Sequence, residues 1–225
     1  MFPIIALFTL TFSIVFAMIM VGGDETIYKL QQLNFVPDEK TICIDPGHGG
    51  GSSGAVLGNR YEKNDTLKLS LLVRDILTDR GYNVVMTRDS DSDVSLKERC
   101  KIANKARASL FVSIHRNSSS SSSATGMEMW VHSSSPTDDT LLAQNILDCL
   151  DTIGISQNRG IHTGYRDGAD KNYYINRNTK MPSVLAEIGF ISNTNDNKDY
   201  DEKMEKYANA IADGIEMTLK EMNGE

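Results

Sequence analysis

The chain has 225 residues, 30 acidic against 23 basic side chains, a formal net charge of −7 and 40% hydrophobic residues. An acidic chain with no basic block is a poor fit for nucleic acid, and three cysteines without a CxxC pair argue against both a disulfide framework and a thiolate zinc site. Beyond the N-terminal run roughly 200 residues remain, which suits one domain with a sizeable core.

Residues 2–23 carry no charged side chain and include the apolar strings Phe2-Pro3-Ile4-Ile5-Ala6-Leu7-Phe8 and Ile14-Val15-Phe16-Ala17-Met18-Ile19-Met20-Val21. Such a run is about long enough to cross a bilayer as a helix. The reading is a signal peptide or an uncleaved membrane anchor, with export in either case, although a basic n-region is lacking. A polar linker is expected over 24–40, with Pro37 near its end.

Thr41-Ile42-Cys43-Ile44-Asp45 reads as a strand running into a glycine loop over 46–61, with His48 at the tip of the loop. A helix is predicted from Glu62, because Leu69, Leu72, Val73 and Ile76 build one apolar face, and Gly81 is its stop. A strand over 83–87 follows. Ser95 is then placed to cap a helix to about residue 106, with Glu98 at the capping-box position. Leu110-Phe111-Val112-Ser113-Ile114-His115 is a strand that ends on a second histidine. The serine run over 118–123 reads as a loop.

A strand is predicted over 127–131, and Thr137 as the cap of a helix to about residue 150. Residues 153–172 read as a long loop, and Tyr173-Tyr174-Ile175 and Val184-Leu185-Ala186-Glu187-Ile188 as short strands. The last helix is predicted over 203–221, with the stripe Met204, Ala208, Ile211, Ile215 and Leu219. Cys43, Cys100 and Cys149 are expected as buried free thiols. Alternating strands and helices imply a single-domain α/β sandwich, with a mixed, mostly parallel sheet and helices on both faces. Sites in such folds gather at the carboxyl ends of strands. His48 and His115 both fall there, and Glu187 lies near the end of a third strand.

Taken together, two imidazoles and a carboxylate are a three-ligand zinc set with one position open, and a second carboxylate could move protons. Glu187 interrupts an apolar strand, where an unpaired buried carboxylate is costly. Plain structural readings stay open for each residue alone. Glu62 could be a solvated acid at a helix N-terminus, Glu187 an edge-strand residue facing water, and His115 a core histidine bonded to a carbonyl. No HExxH motif occurs.

Four blocks carry a resemblance. They are Asp45-Pro46-Gly47-His48-Gly49-Gly50, Glu62-Lys63, Ser113-Ile114-His115-Arg116-Asn117 and Leu185-Ala186-Glu187-Ile188-Gly189-Phe190-Ile191-Ser192-Asn193. In this order and spacing they resemble the zinc-dependent N-acetylmuramoyl-L-alanine amidases of the type 3 family, over about residues 41–222. The resemblance implies Zn2+ held by His48, Glu62 and His115, with Glu187 as the catalytic general acid/base. It implies hydrolysis of the amide between N-acetylmuramic acid and L-alanine in peptidoglycan. A hydrophobic leader before a bare catalytic domain is similar to the CwlD-type sporulation amidases, which implies a role in spore-cortex maturation towards muramic-δ-lactam.

Alternation along the strand should point Arg116 away from His115. His132 ends a strand and could be at the surface, and His162 sits in the long loop; either could touch substrate. Arg88, Asn117, Arg159 and Arg177 are candidates for meeting substrate carboxylates or sugars. Two other functions fit the same residues: a peptidoglycan-binding protein needing an activator or partner protein, and a zinc peptidase cutting within the stem peptide.

Overall fold

Six strands form one sheet in a computed structural model that describes residues 37–166, 168 and 171–225. The leader expected over 2–23 and most of the linker lie outside the described residues. The strands are β1 (Asp38–Pro46), β4 (Asn83–Met86), β5 (Ala108–Asn117), β6 (Met127–Val131), β7 (Asn158–Thr163) and β8 (Ser183–Phe190), in the order β4-β1-β5-β8-β6-β7. The pairings of β4, β1, β5 and β8 are parallel; β6 runs antiparallel to β8 and carries β7 parallel to itself. A two-stranded hairpin, β2 (Val56–Leu57) with β3 (Arg60–Tyr61), sits inside the glycine loop.

The period of two along each strand gives the sheet two different faces. Ile42, Ile44, Val112, Ile114, Val184, Ala186 and Met129 face the main core. Three helices supply the other half of it: α1 (Glu62–Asp79) through Leu69, Val73 and Leu77, α3 (Thr137–Thr152) through Leu142 and Ile146, and α5 (Thr194–Asn223) through Ile211 and Ile215. At 25 cal/mol per Å2 a fully buried residue of this kind stabilises the fold by about 2 kcal/mol. The alternate residues, among them Asp45, Ser113, His115, Glu128 and Glu187, belong to the opposite face. There α2 (Leu96–Ala106) packs on β1 and β5, and the one-turn helix α4 (Tyr174–Asn178) packs on β8. This is the expected α/β sandwich with a mostly parallel mixed sheet.

Several local expectations change. β1 begins at Asp38, inside the expected linker. The expected loop over 153–172 contains β7, an edge strand whose neighbour on one side is β6. A polar sequence such as Asn158-Arg159-Gly160-Ile161-His162-Thr163 can sit at an edge because it need not bury both faces. Tyr173-Tyr174-Ile175 is not a strand: Tyr174–Asn178 coil into α4, and the Asn176 amide donates to the Trp130 carbonyl at 2.9 Å. Thr137 is the first helical residue rather than a cap, with no side-chain cap bond at that end.

α5 starts at Thr194, well before the expected residue 203, because the Asn193 side chain accepts the N–H groups of Asn195 and Asp196. Ser95 does cap α2, accepting from the Glu98 N–H. Cys43 and Cys100 are buried, whereas Cys149 is partly exposed. No helix among the described residues is long and apolar enough to cross a membrane.

Candidate metal centre

The glycine loop after β1 is built from below by two buried arginines. Arg88 donates to the carbonyls of Pro46, Gly47 and Lys63, and Arg99 to those of Pro46, His48 and Val94. Arg99 is itself paired with Asp45 at 2.7 Å. Asp45 also accepts the hydroxyls of Thr87 and Ser113, so both its oxygens are satisfied without water. These contacts hold His48 at φ +60, a left-handed conformation uncommon for a side-chain-bearing residue.

Two glycines in the loop are dictated by close approach. A Cβ on Gly47 would lie 2.4 Å from the His115 ring, and one on Gly54 would lie 2.6 Å from Glu62 Oε2. Gly54 has φ +67 in addition, so a side chain there would meet both strain and collision.

The loop and two strands then converge. His48 Nε2 lies 3.2 Å from Glu62 Oε2, and His115 Nδ1 lies 2.9 Å from Glu62 Oε1. One potential ligand atom from each of the three residues falls within 4.8 Å of the others. The orientation of each group is fixed by a further bond. His48 Nδ1 pairs with Ser52 Oγ at 2.9 Å, leaving Nε2 toward the carboxylate. Glu62 accepts the backbone N–H of Ala55 at 2.8 Å and of Arg116 at 3.0 Å. Burial raises the cost of charging Glu62, but the hydrogen bonds from His115 and His48 outweigh it and hold the carboxyl well below its usual range. His115 moves the other way: burial opposes its charge, and the bond to Glu62 raises its pKa overall.

Glu187 stands beside this triad. It is paired in register with His115 on one side and with Glu128 on the other. β8 is an interior strand and Glu187 is only 6% exposed, so the edge-strand reading does not hold. Glu187 Oε2 is buried with no hydrogen-bond partner among the described residues, and Oε1 lies 3.8 Å from Arg166. Burial pushes its pKa up to about 7. The metal-ligating reading of the triad fits this donor set: two imidazole nitrogens and a carboxylate facing one point suit a tetrahedral zinc site with one open position. The triad and Glu187 line an open cleft of about 880 Å3.

The other expected contacts divide. Arg116 points away from His115, donating to Asp65 and Asn197 with its guanidinium 4.0 Å from the Tyr200 ring centre. Arg88 is buried and committed to the loop carbonyls, which removes it from substrate binding. His132 is fully buried rather than at the surface, with Nδ1 2.9 Å from Ser134 Oγ. His162 lies on β7 and stacks on Trp130 at 4.8 Å. Arg177 lies 5.8 Å from the Tyr174 ring centre. Asn117 lines the cleft, and Arg159 binds Glu128 at 2.6 Å.

Glu128 was not singled out from the sequence. It interrupts Met127-Glu128-Met129-Trp130-Val131 as Glu187 interrupts its own strand, and that was the available signal. It accepts from Asn117, Trp130 and Arg159. Burial works against its charge, yet the bonds from Arg159 and Trp130 keep its pKa below the usual range.

The family model described as N-acetylmuramoyl-L-alanine amidase matches residues 42–217. The Staphylococcus aureus protein named Probable cell wall amidase LytH is 34% identical over 184 residues, and the match covers 79% of this chain but 58% of LytH. The catalytic domain of CwlV, an N-acetylmuramoyl-L-alanine amidase from Bacillus (Paenibacillus) polymyxa, is similar in structure with a TM-score of 0.73 and 35% identity, covering 80% of this chain and 98% of that one. The CwlD amidase from Clostridioides difficile, solved in complex with the GerS lipoprotein, gives a TM-score of 0.73 and 29% identity, covering 80% and 98% of the two chains.

Proposed function

The chain belongs to the N-acetylmuramoyl-L-alanine amidase family, and from that membership we propose that it hydrolyses the amide joining the lactyl group of N-acetylmuramic acid to L-alanine in peptidoglycan. In this reading His48, Glu62 and His115 hold zinc, and Glu187 is the general acid/base. The observation that carries it is Glu187 itself: a buried carboxylate with one oxygen unpartnered, in register with His115 at an open cleft.

When bound, zinc supplies Lewis acidity that polarises the amide carbonyl and makes water more acidic. Glu187 takes the proton from the attacking water as the new C–O bond forms. It then delivers a proton to the alanine nitrogen as the C–N bond breaks, leaving a lactyl carboxylate on the glycan and a free amine on the peptide. Burial, which favours the protonated form of the Glu187 carboxyl, helps it to hold the proton between the two halves of that task. The Ser52 bond to His48 and the backbone bonds to Glu62 keep the ligands in place before metal or substrate arrives.

Peptidoglycan lies outside the cytoplasmic membrane, so this function calls for export, with the uncharged run over 2–23 as signal peptide or anchor. In this reading the reaction belongs to spore-cortex maturation, ahead of muramic-δ-lactam formation, and the likeness to CwlD, solved with the GerS lipoprotein, supports a partner protein for this chain.

The test is to incubate the zinc-quantified protein with purified peptidoglycan and identify released fragments by mass spectrometry. Free stem peptides beginning at L-alanine, lost with Glu187→Ala, are the expected result. Cuts inside the stem would make the protein a peptidase instead, and zinc binding without any product would favour a binding role.

A further inference from the structure

We propose that Arg166 is a specificity-determining residue that binds a carboxylate of the stem peptide, close to the scissile amide. This deepens the amidase reading and rests on it. Among the described residues lining the cleft, three are arginines: Arg99, Arg116 and Arg166. Arg99 is 4% exposed and spends its guanidinium on Asp45 and three backbone carbonyls. Arg116 is 2% exposed and is held by Asp65, Asn197 and the face of Tyr200. Arg166 alone of the three has an open side chain, 46% exposed, and among the described residues its hydrogen bond goes from Nη2 to Asn117 Oδ1.

That bond is aimed from behind. Asn117 has one amide group, and its Nδ2 donates to Glu128 Oε1 at 2.8 Å. Its Oδ1 must therefore face the other way, where it accepts the Ser118 N–H at 2.8 Å as well as Arg166. Glu128 cannot turn to release the amide, because Trp130 and Arg159 hold its two oxygens. Glu128 and Asn117 are positioning residues in this arrangement. They tether one nitrogen of Arg166, and no other hydrogen bond among the described residues holds the guanidinium fork that faces the cleft.

Location sets the ligand class. Arg166 Nη2 lies 3.8 Å from Glu187 Oε1, the group assigned to protonate the leaving alanine nitrogen. A peptide advances by about 3.5 Å per residue, so a guanidinium there reaches one residue beyond the alanine. The matching group is a free α-carboxylate on the second stem residue, and guanidinium binds carboxylate through charge-assisted, bidentate hydrogen bonds. Amidation of that carboxylate would remove the charge and present an N–H2 to a donor.

The experiment compares hydrolysis of N-acetylmuramoyl-L-alanyl-D-glutamate with that of its α-amide, N-acetylmuramoyl-L-alanyl-D-isoglutamine, by the zinc-loaded protein, alongside polymeric peptidoglycan. The carboxylate form is expected to have a kcat/KM about 10- to 100-fold higher, carried mainly by KM. Arg166→Ala should bring the ratio to near one, and Arg166→Lys should restore part of it. Because each variant serves as its own control, a loss of folded protein leaves the ratio unchanged. Equal rates for the two substrates in the wild type, or an unchanged ratio in Arg166→Ala, would overturn the subsite while leaving the amidase intact. Failure to cut the lactyl amide in any substrate, polymer included, would remove the amidase reading and the subsite with it.

Discussion

His115 and Glu187 occupy paired positions on the parallel strands β5 and β8, so a metal-ligand candidate and an unpartnered buried carboxylate share one face of the sheet. The sheet spacing alone places neighbouring strands about 4.8 Å apart. The pairing therefore sets how far the Glu187 carboxylate stands from the imidazole, without any loop having to order.

The first prediction concerns pH and stability in chelator-treated protein. The Glu187 carboxyl has an ordinary pKa of 4.5 and is raised to about 7 in the fold, chiefly by burial. Between those values the folded state binds more protons than the unfolded one, so stability falls as pH rises through that window. The full cost, reached above about pH 7, is on the order of 3 kcal/mol. Glu187→Gln removes it. Urea melts should show the variant close to wild type at pH 4 and more stable at pH 8; the same difference at both values would refute the argument. Comparing the two proteins at each pH removes most of the contribution of His115, whose raised pKa likewise makes stability fall as pH rises.

A second prediction follows from Gly47. Its missing side chain leaves room for the His115 ring, and a methyl group would sit 2.4 Å from Cε1. The imidazole or the loop must move. Gly47→Ala is expected to cost about 1–3 kcal/mol as overpacking, and to weaken zinc binding more than a generic loss of stability would. Zinc affinity measured by chelator competition, well below the melting temperature, separates the two. Wild-type affinity in a folded variant would show that the ring has slack.

Asp45 yields a third. It is 1% exposed and bonded to Arg99, Thr87 and Ser113. Asp45→Ala leaves the Arg99 guanidinium buried without its counter-charge, which typically costs about 3–5 kcal/mol. Arg99 also holds the Pro46 and His48 carbonyls, so the damage should reach the glycine loop. Denaturant melts should show the loss of stability, and peptidoglycan hydrolysis should drop with it. A variant of unchanged stability would mean that water can replace the carboxylate.

The contrast between legible and hidden features has a physical origin. His48, His115 and Glu187 could be singled out because each breaks a local pattern, a histidine in a glycine loop or a polar residue in an apolar strand, whereas Glu62 is an ordinary acid at a helix start and stood out only through the family resemblance. The two-faced sheet follows from the same alternation. β7 was missed because an edge strand needs no apolar face, and α4 because a single turn has no period to read. Arg166 left no trace in the sequence. Its meaning depends on Glu128 and Asn117, which are brought to it by β6 and β5. Arg88 shows the converse, since nothing local says that a cation is spent on backbone carbonyls from a distant loop.

The last prediction is metal removal. Glu62 pairs with both imidazoles, His48 through Oε2 and His115 through Oε1, and accepts the N–H groups of Ala55 and Arg116 as well. The main core lies on the other face of the sheet, so a chelator should inactivate the protein without unfolding it. Zinc added back should raise the melting temperature, because a ligand bound only by the folded state stabilises it by about 2.7 kcal/mol at one hundred times Kd. For a domain of this size that corresponds to roughly 5–10 °C. His115→Ala should abolish the zinc-dependent shift. Glu62→Gln should do more: it removes the charge that the two imidazoles share, so it should lower the melting temperature of the chelated protein as well as the response to zinc. A full zinc shift in both variants would show that the metal binds elsewhere and would take the assignment of the triad with it.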